Sequence, residues 1–327
     1  LVGSEMCIRD RGVYMYFNDA FSITNTLLDT PAYQINNPIR ALYCDEEQTL
    51  WIGTKGGGIV RINNYSPDKE SLTSFNRISA ANSTLTDNAV YCFAPSTTGK
   101  LWIGTENGIN YYSYKSKQLK EFPVVADNKK VKYVHSINEL NDTTLWVSTV
   151  GEGIVKVILN NTGSSPAVKS ATRIVLDKGR MASNYFFTSF QESDSILWFG
   201  NRGYGAYRLN VETGEMTPYK FDDVVKSQTA NDIFAIYKNE KGYWLGTSSG
   251  LLHLNQNYSH RHDRADLFSN NTVHGILEDQ QNNLWISTNQ GLVRFNPQTN
   301  TGQTYDRQNG LEAVSYTHLR AHETKAN

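Results

Sequence analysis

Six tryptophans occur in this 327-residue chain, and all six hold the same position of one internal repeat. The segments read Leu50-Trp51-Ile52-Gly53-Thr54, Leu101-Trp102-Ile103-Gly104-Thr105, Leu145-Trp146-Val147-Ser148-Thr149, Leu197-Trp198-Phe199-Gly200-Asn201, Tyr243-Trp244-Leu245-Gly246-Thr247 and Leu284-Trp285-Ile286-Ser287-Thr288. Successive tryptophans are 51, 44, 52, 46 and 41 residues apart. That period is too long for ankyrin, tetratricopeptide or leucine-rich repeats and suits a four-stranded propeller blade.

Other residues keep step with the tryptophan. A glycine follows each one six or seven positions later: Gly58, Gly108, Gly153, Gly205, Gly250 and Gly291. Each opens a short alternating run such as Ile59-Val60-Arg61-Ile62. An asparagine stands 13 or 14 positions upstream in five copies: Asn37, Asn88, Asn184, Asn231 and Asn271. The apolar period is 2 and β-branched and aromatic residues abound, so a helical reading is disfavoured. Each unit reads as four strands. The asparagine starts the first from a turn, where its side chain satisfies local backbone groups. A polar hairpin leads to the Leu-Trp strand, and the glycine turns the chain into the third. The fourth is polar, at residues 71–78, 118–124, 215–221 and 302–305.

The expected fold is therefore all-β, a β-propeller of four-stranded antiparallel blades, with six complete repeats plus half of a seventh. Radial stacking buries both faces of each blade and protects its edges. Trp51, Trp102, Trp146, Trp198, Trp244 and Trp285 are read as blade-to-blade packing residues, not as an aromatic sugar-binding ring. The half blade is Gly12–Tyr16 and Phe21–Leu27, a third and fourth strand lacking a Leu-Trp half.

Composition narrows the function. Lys plus Arg total 31 against 32 Asp plus Glu, a net charge of −1 that argues against nucleic acid as a partner. At 39% hydrophobic residues the chain can bury a large core. No apolar run approaches the about 20 residues of a membrane helix. Three cysteines make no disulfide framework. Cys44 and Cys92 lie in the first strands of neighbouring units and read as small buried hydrophobes.

The string Leu-Trp-Ile-Gly-Thr, then a glycine, then an alternating strand resembles the two-component regulator propeller repeat. Such repeats build the sensor region of hybrid two-component system histidine kinases, mostly in Bacteroidetes. The resemblance covers about residues 12–311. It implies a periplasmic sensor of glycan breakdown products, part of an inner-membrane protein. A second propeller and a β-sandwich domain of the same protein, and homodimerisation when full length, are implied with it. The kinase itself lies outside this chain. Copies three and four depart most, with Ser148 or Asn201 where the pattern has Gly or Thr. The domain layout is then a propeller over residues 12–312 between two tails, 1–11 and 313–327. Both tails look non-native, like translated sequencing adapter.

Catalytic signals are weak, and no catalytic residue, metal ligand or cofactor site is assigned. His260-Arg261-His262-Asp263 resembles a ligand string but reads as a solvated loop. His135, His253 and His274 read as blade-packing or exposed-face residues. Asp45, Glu46, Glu47 and the pair Asp222-Asp223 read as solvated turns. Binding is expected at the loops joining second and third strands. Arg202, Tyr204, Glu106, Asn107, Glu152 and Asn289 are the candidate ligand-binding residues, a set able to hydrogen-bond sugar hydroxyls beside one stacking ring. Arg202 and Tyr204 stand out, because a guanidinium fork and a ring replace the usual Gly, Asn and Ser. The alternatives are a lyase or hydrolase of the streptogramin-lyase type, and a protein-interaction scaffold.

Overall fold

The computed structural model describes residues 4–8, 12–17, 20–23, 35, 37–63, 75–160, 165–176, 183–221, 231–258, 260–262, 268, 272–306 and 309. They form six four-stranded antiparallel sheets, each a meander in chain order, arranged as a β-propeller. The first blade is Ile39–Cys44, Leu50–Thr54, Ile59–Ile62 and Phe75–Ile78. The second is Val90–Ser96, Lys100–Thr105, Gly108–Ser113 and Gln118–Phe122. Val134–Asn141, Thr144–Thr149, Ile154–Asn160 and Ala167–Ile174 build the third. The fourth is Phe186–Ser193, Ile196–Asn201, Ala206–Asn210 and Met216–Tyr219. Ile233–Asn239, Gly242–Thr247, Gly250–Leu254 and His260–His262 make the fifth. The sixth is Val273–Glu278, Leu284–Thr288, Gly291–Asn296 and Thr301–Tyr305.

The all-β propeller and its six Leu-Trp blades match the sequence reading, with local corrections. The partial blade has three strands, not two. Ser4–Ile8, inside the stretch read as a tail, pairs with Gly12–Phe17, which pairs in turn with Ala20–Ile23. The second blade's outer strand stops at Phe122, because Pro123 has no N–H to donate. The fourth blade's outer strand stops at Tyr219, and the amide of Phe221 donates to Asn231 Oδ1 instead. His260–His262 is not a loop but the fifth blade's outer strand, in register with Leu252–Leu254. Asp263 and the pair Asp222-Asp223 lie outside the described residues. Cys92 is buried as expected, whereas Cys44, at the end of its strand, is exposed.

The core is a series of seams between blades. Trp51 meets Phe93 and Tyr112 of the second blade. Trp146 meets Phe199 of the fourth, Trp198 meets Tyr243 of the fifth, and Trp244 meets Phe295 of the sixth. None of the six tryptophans is more than 4% exposed, so their role is packing. Across the ladder each stands opposite a cation or another ring: Arg61, Tyr111, Lys156, Arg208, His253 and Arg294.

The indole N–H needs an acceptor once buried. Asp45, Glu192 and Asp279, each six residues before its tryptophan, accept it at 2.8, 2.7 and 2.8 Å. Asp45 is therefore a buried hairpin anchor that also accepts the Thr49 amide, not a solvated turn residue. Glu46 and Glu47 do remain exposed. Trp102 reaches forward to Glu139 of the next blade at 2.6 Å, and Trp244 uses Asn239. The repeat glycine is required where the chain turns: at Gly205 (φ +80) a Cβ would lie 2.0 Å from the Tyr219 carbonyl oxygen.

Candidate functional site

The inner strands start, and the second-to-third-strand loops turn, on the same face of the ring. Antiparallel pairing demands this: Ile39 opposes Thr54, Val134 opposes Thr149 and Phe186 opposes Asn201. All six sequence-predicted ligand residues therefore share one face.

The repeat asparagines lock that face together. The carbonyl of Asn184 accepts the amides of Gly151 and Gly153, both from the preceding blade's loop. Its side-chain Oδ1 accepts the amide of Leu176, where the chain leaves that blade. Asn88 does the same for Gly56, Gly58 and Ala80. Asn231 does so for Gly205 and Phe221. These three loops are thus tied to the start of the next blade and not left as free turn backbone.

A second feature of this face escaped the sequence reading. Every inner strand carries a β-bulge at its start, between Ile39 and Ala41, Val90 and Cys92, Val134 and Ser136, Phe186 and Thr188, Ile233 and Ala235, and Val273 and Gly275. The extra residues are Arg40, Tyr91, His135, Phe187, Phe234 and His274. A bulge re-aims its side chain, and these meet across successive blades. Tyr91 stacks on His135 at 4.2 Å, and His135 meets Phe187 at 5.7 Å. Phe187 meets Phe234 at 5.3 Å, and Phe234 meets His274 at 5.6 Å. The result is an aromatic arc around the inner ends of the blades. The signal was present: each member precedes its tryptophan by 11 residues, or by 10 in the fifth blade. Its residue types differ from blade to blade, so the repeat does not advertise it.

Two predicted ligand residues brace this arc. The Tyr91 hydroxyl donates to Glu106 Oε2 at 3.1 Å. Burial, with the Glu106 charge beside it, pushes the Tyr91 phenol up to about 12, so it stays a donor. His274 Nε2 lies 2.8 Å from Asn289 Oδ1. Asn107 sits beside Glu106 in the same turn. Glu152 is held by Arg173, whose Nη1 donates to its Oε2 at 2.8 Å, and by the Lys132 amide at 3.2 Å. Arg202 is exposed, and its amide donates to the Tyr185 carbonyl. Tyr204 packs on the seam cluster of Trp146, Phe186 and Phe199, with Lys220 Nζ 5.7 Å from its ring centre. It is half-buried packing rather than a presented ring. His135 and His274 belong to the arc, and His253 stacks on Trp244 at 4.2 Å. Among the described residues no group of three or more His, Cys, Asp or Glu converges as a metal site.

The family described as the two-component regulator propeller matches residues 33–56, 84–107 and 267–290. Each match runs through an inner strand and a Leu-Trp strand to the loop beyond. The first, second and sixth blades match two-component regulator propeller repeats. Histidine kinase P4 of Formosa agariphila is 26% identical over 295 residues, which is 86% of this chain and 20% of that protein. This chain thus spans about a fifth of that relative. Among solved structures, the extracellular domain described as that of the hybrid two-component system BT3049 of B. thetaiotaomicron superposes with a TM-score of 0.65 at 20% identity, over 86% of this chain and 36% of that one. The extracellular domain described as that of the one component system BT4673 of B. thetaiotaomicron gives 0.71 at 18% identity, over 92% of this chain and 42% of that one. The WD40 propeller of Doa1 reaches 0.62 at 11% identity, over 90% and 88%. The fold alone therefore does not select a function, and the repeat motif carries more of the argument.

Proposed function

We propose that this chain is the periplasmic sensor propeller of a hybrid two-component regulator. In this reading it is non-enzymatic, recognises a glycan breakdown product on the loop-bearing face, and signals to a histidine kinase region of the same protein. A second propeller and a β-sandwich domain of that protein, and a second copy in a homodimer, are its partners. The observation that carries the reading is the repeat itself: two-component regulator propeller blades in a chain related to Histidine kinase P4.

The geometry supplies a route for signalling. The loops of the first, third and fourth blades are each bonded to the start of the next blade through an asparagine. A ligand bridging two loops biases the packing of two neighbouring blades only if it binds their arrangements with different affinity. Calorimetric titration with a panel of neutral and uronate-containing oligosaccharides tests the reading. Saturable binding of one class, with no new products by chromatography, is the expected result. No binding across the panel, or conversion of any member, would refute it.

A further inference from the structure

The aromatic arc raises the question of where a sugar ring could stack, because its members turn their rings toward one another. Stacking on a ligand needs a ring with a free face. Among the described residues four large hydrophobics are exposed: Val125, Tyr133, Val175 and Tyr185. All four lie on the chain segments that flank the third blade. The two tyrosines hold one repeat position, immediately before Val134 and Phe186 at the inner-strand starts. They are 42% and 43% exposed.

Between them runs the loop Val150-Gly151-Glu152. The Val150 amide donates to the Tyr133 carbonyl at 3.0 Å, and Val150 forms a β-bridge with Tyr185. Three adjacent backbones at about 4.8 Å spacing set the tyrosines roughly 10 Å apart. The loop is rigidly held, with Gly151 and Gly153 both bonded to Asn184. Gly151 leaves the surface low beside Tyr185; a Cβ there would come within 3.9 Å of the tyrosine Cζ. Glu152, in this loop, is fixed by Arg173, whose side chain is only 8% exposed, and by the amide of Lys132 next to Tyr133. Arg202 follows the Tyr185 contact on the next loop.

We propose that Tyr133 and Tyr185 form a paired stacking platform over the third blade, off the propeller axis, for a short oligosaccharide that spans both rings. Glu152 and Arg202 take its hydroxyl groups. This rests on the glycan reading above and says where on the face the ligand sits. A sugar fits better than a protein partner. The loop between the two rings carries the charge of Glu152, whereas the core of a protein interface is contiguous and depleted of charge. Tyrosine supplies a flat apolar face with a polar edge, which matches a pyranose.

The experiment compares the full 327-residue chain with Tyr133→Ala, Tyr185→Ala and the double Tyr133→Phe/Tyr185→Phe variant, titrated with the same oligosaccharide panel. Thermal melting checks that each variant is folded. The expected result is at least tenfold weaker binding for each alanine variant at unchanged melting temperature, with affinity kept within about threefold by the phenylalanine pair, which retains both ring faces. Glycan binding that the alanine variants leave intact overturns the platform and leaves the glycan reading standing. Absence of glycan binding in the parent chain overturns both. Self-association in sedimentation that the alanine variants abolish, without glycan binding, assigns the patch to a protein contact and also overturns the platform.

Discussion

The sixth and third blades follow the same repeat and treat their tryptophans differently. In the sixth, Asp279 sits six residues before Trp285 and accepts its indole N–H, the Asn283 and Gln281 amides and the Asn283 side chain. In the third, that position is Leu140, and Trp146 Nε1 is buried without a hydrogen-bond partner. Ser148 and its counterpart Ser287 in the sixth blade stand where the first, second, fourth and fifth blades carry glycine, and both leave their hydroxyls buried without a partner. Leu140 packs on the seam to the fourth blade instead. Six residues before its tryptophan, the sixth blade thus has a polar anchor where the third has an apolar packing contact. The third is also the blade around which the exposed tyrosines and valines gather. Departures from a repeat's local rules tend to collect where the repeat has work other than packing.

The broadest test of the comparison removes the rings themselves. Trp285→Ala and Trp146→Ala should each destabilise by about 3–5 kcal/mol in urea unfolding, since cavity formation dominates both. A difference well beyond about 1 kcal/mol would mean that the seams are not equivalent in packing. Trp→Phe substitution then isolates the polar part. Trp285→Phe should cost about 1–3 kcal/mol more than Trp146→Phe, because only the former takes one hydrogen-bond donor away from a buried carboxylate.

Acid should expose the same difference. For Asp279, burial raises the carboxyl pKa, but the hydrogen bonds from Asn283, Trp285 and Gln281 outweigh it and the net shift is downward. Glu192 behaves alike: burial raises it, and hydrogen bonds from Trp198 and Tyr243 with the Lys238 and Arg208 charges lower it further than that. A depressed folded-state pKa gives stability that is full above the unfolded value of about 4 and is lost as pH falls through the folded value. Urea midpoints measured from pH 6 down to 3 should therefore fall more steeply in the parent than in Asp279→Asn. Leu140, having no charge at that position, contributes nothing to this slope, so Leu140→Ala should leave it unchanged. The smallest effect is expected at the exposed tyrosines. Tyr133→Ala and Tyr185→Ala should shift stability by less than about 0.5 kcal/mol by calorimetry, as exposed side chains outside the seams.

Much of the fold was legible because one side chain recurs with the blade. A buried tryptophan at a fixed strand position states both the period and the seam it fills. The asparagines were legible as turn residues, but not as ties between blades, since their bonds join residues that only the ring brings together. Asp45 shows a local miss: a carboxylate in a polar hairpin looks solvated until the indole six residues on is seen to turn back to it. The extra strand Ser4–Ile8 carries no Leu-Trp motif and is defined by its pairing with Gly12–Phe17.

For the candidate site, the loops of Glu106, Asn107, Glu152, Arg202 and Asn289 were readable from strand order, because antiparallel pairing assigns every such loop to one face. Whether a ring on that face packs or is presented was not readable. Tyr204 and Tyr185 are both tyrosines beside turns in the same blade. One is held on a seam by Phe199 and Trp146, and the other stands out over Gly151. Local sequence determined the strands, their order and their buried faces, because alternation and the tryptophan period act within a single blade. Only the tertiary structure decided which rings close on one another around the axis and which stay free. That depends on contacts between blades more than 40 residues apart in the chain.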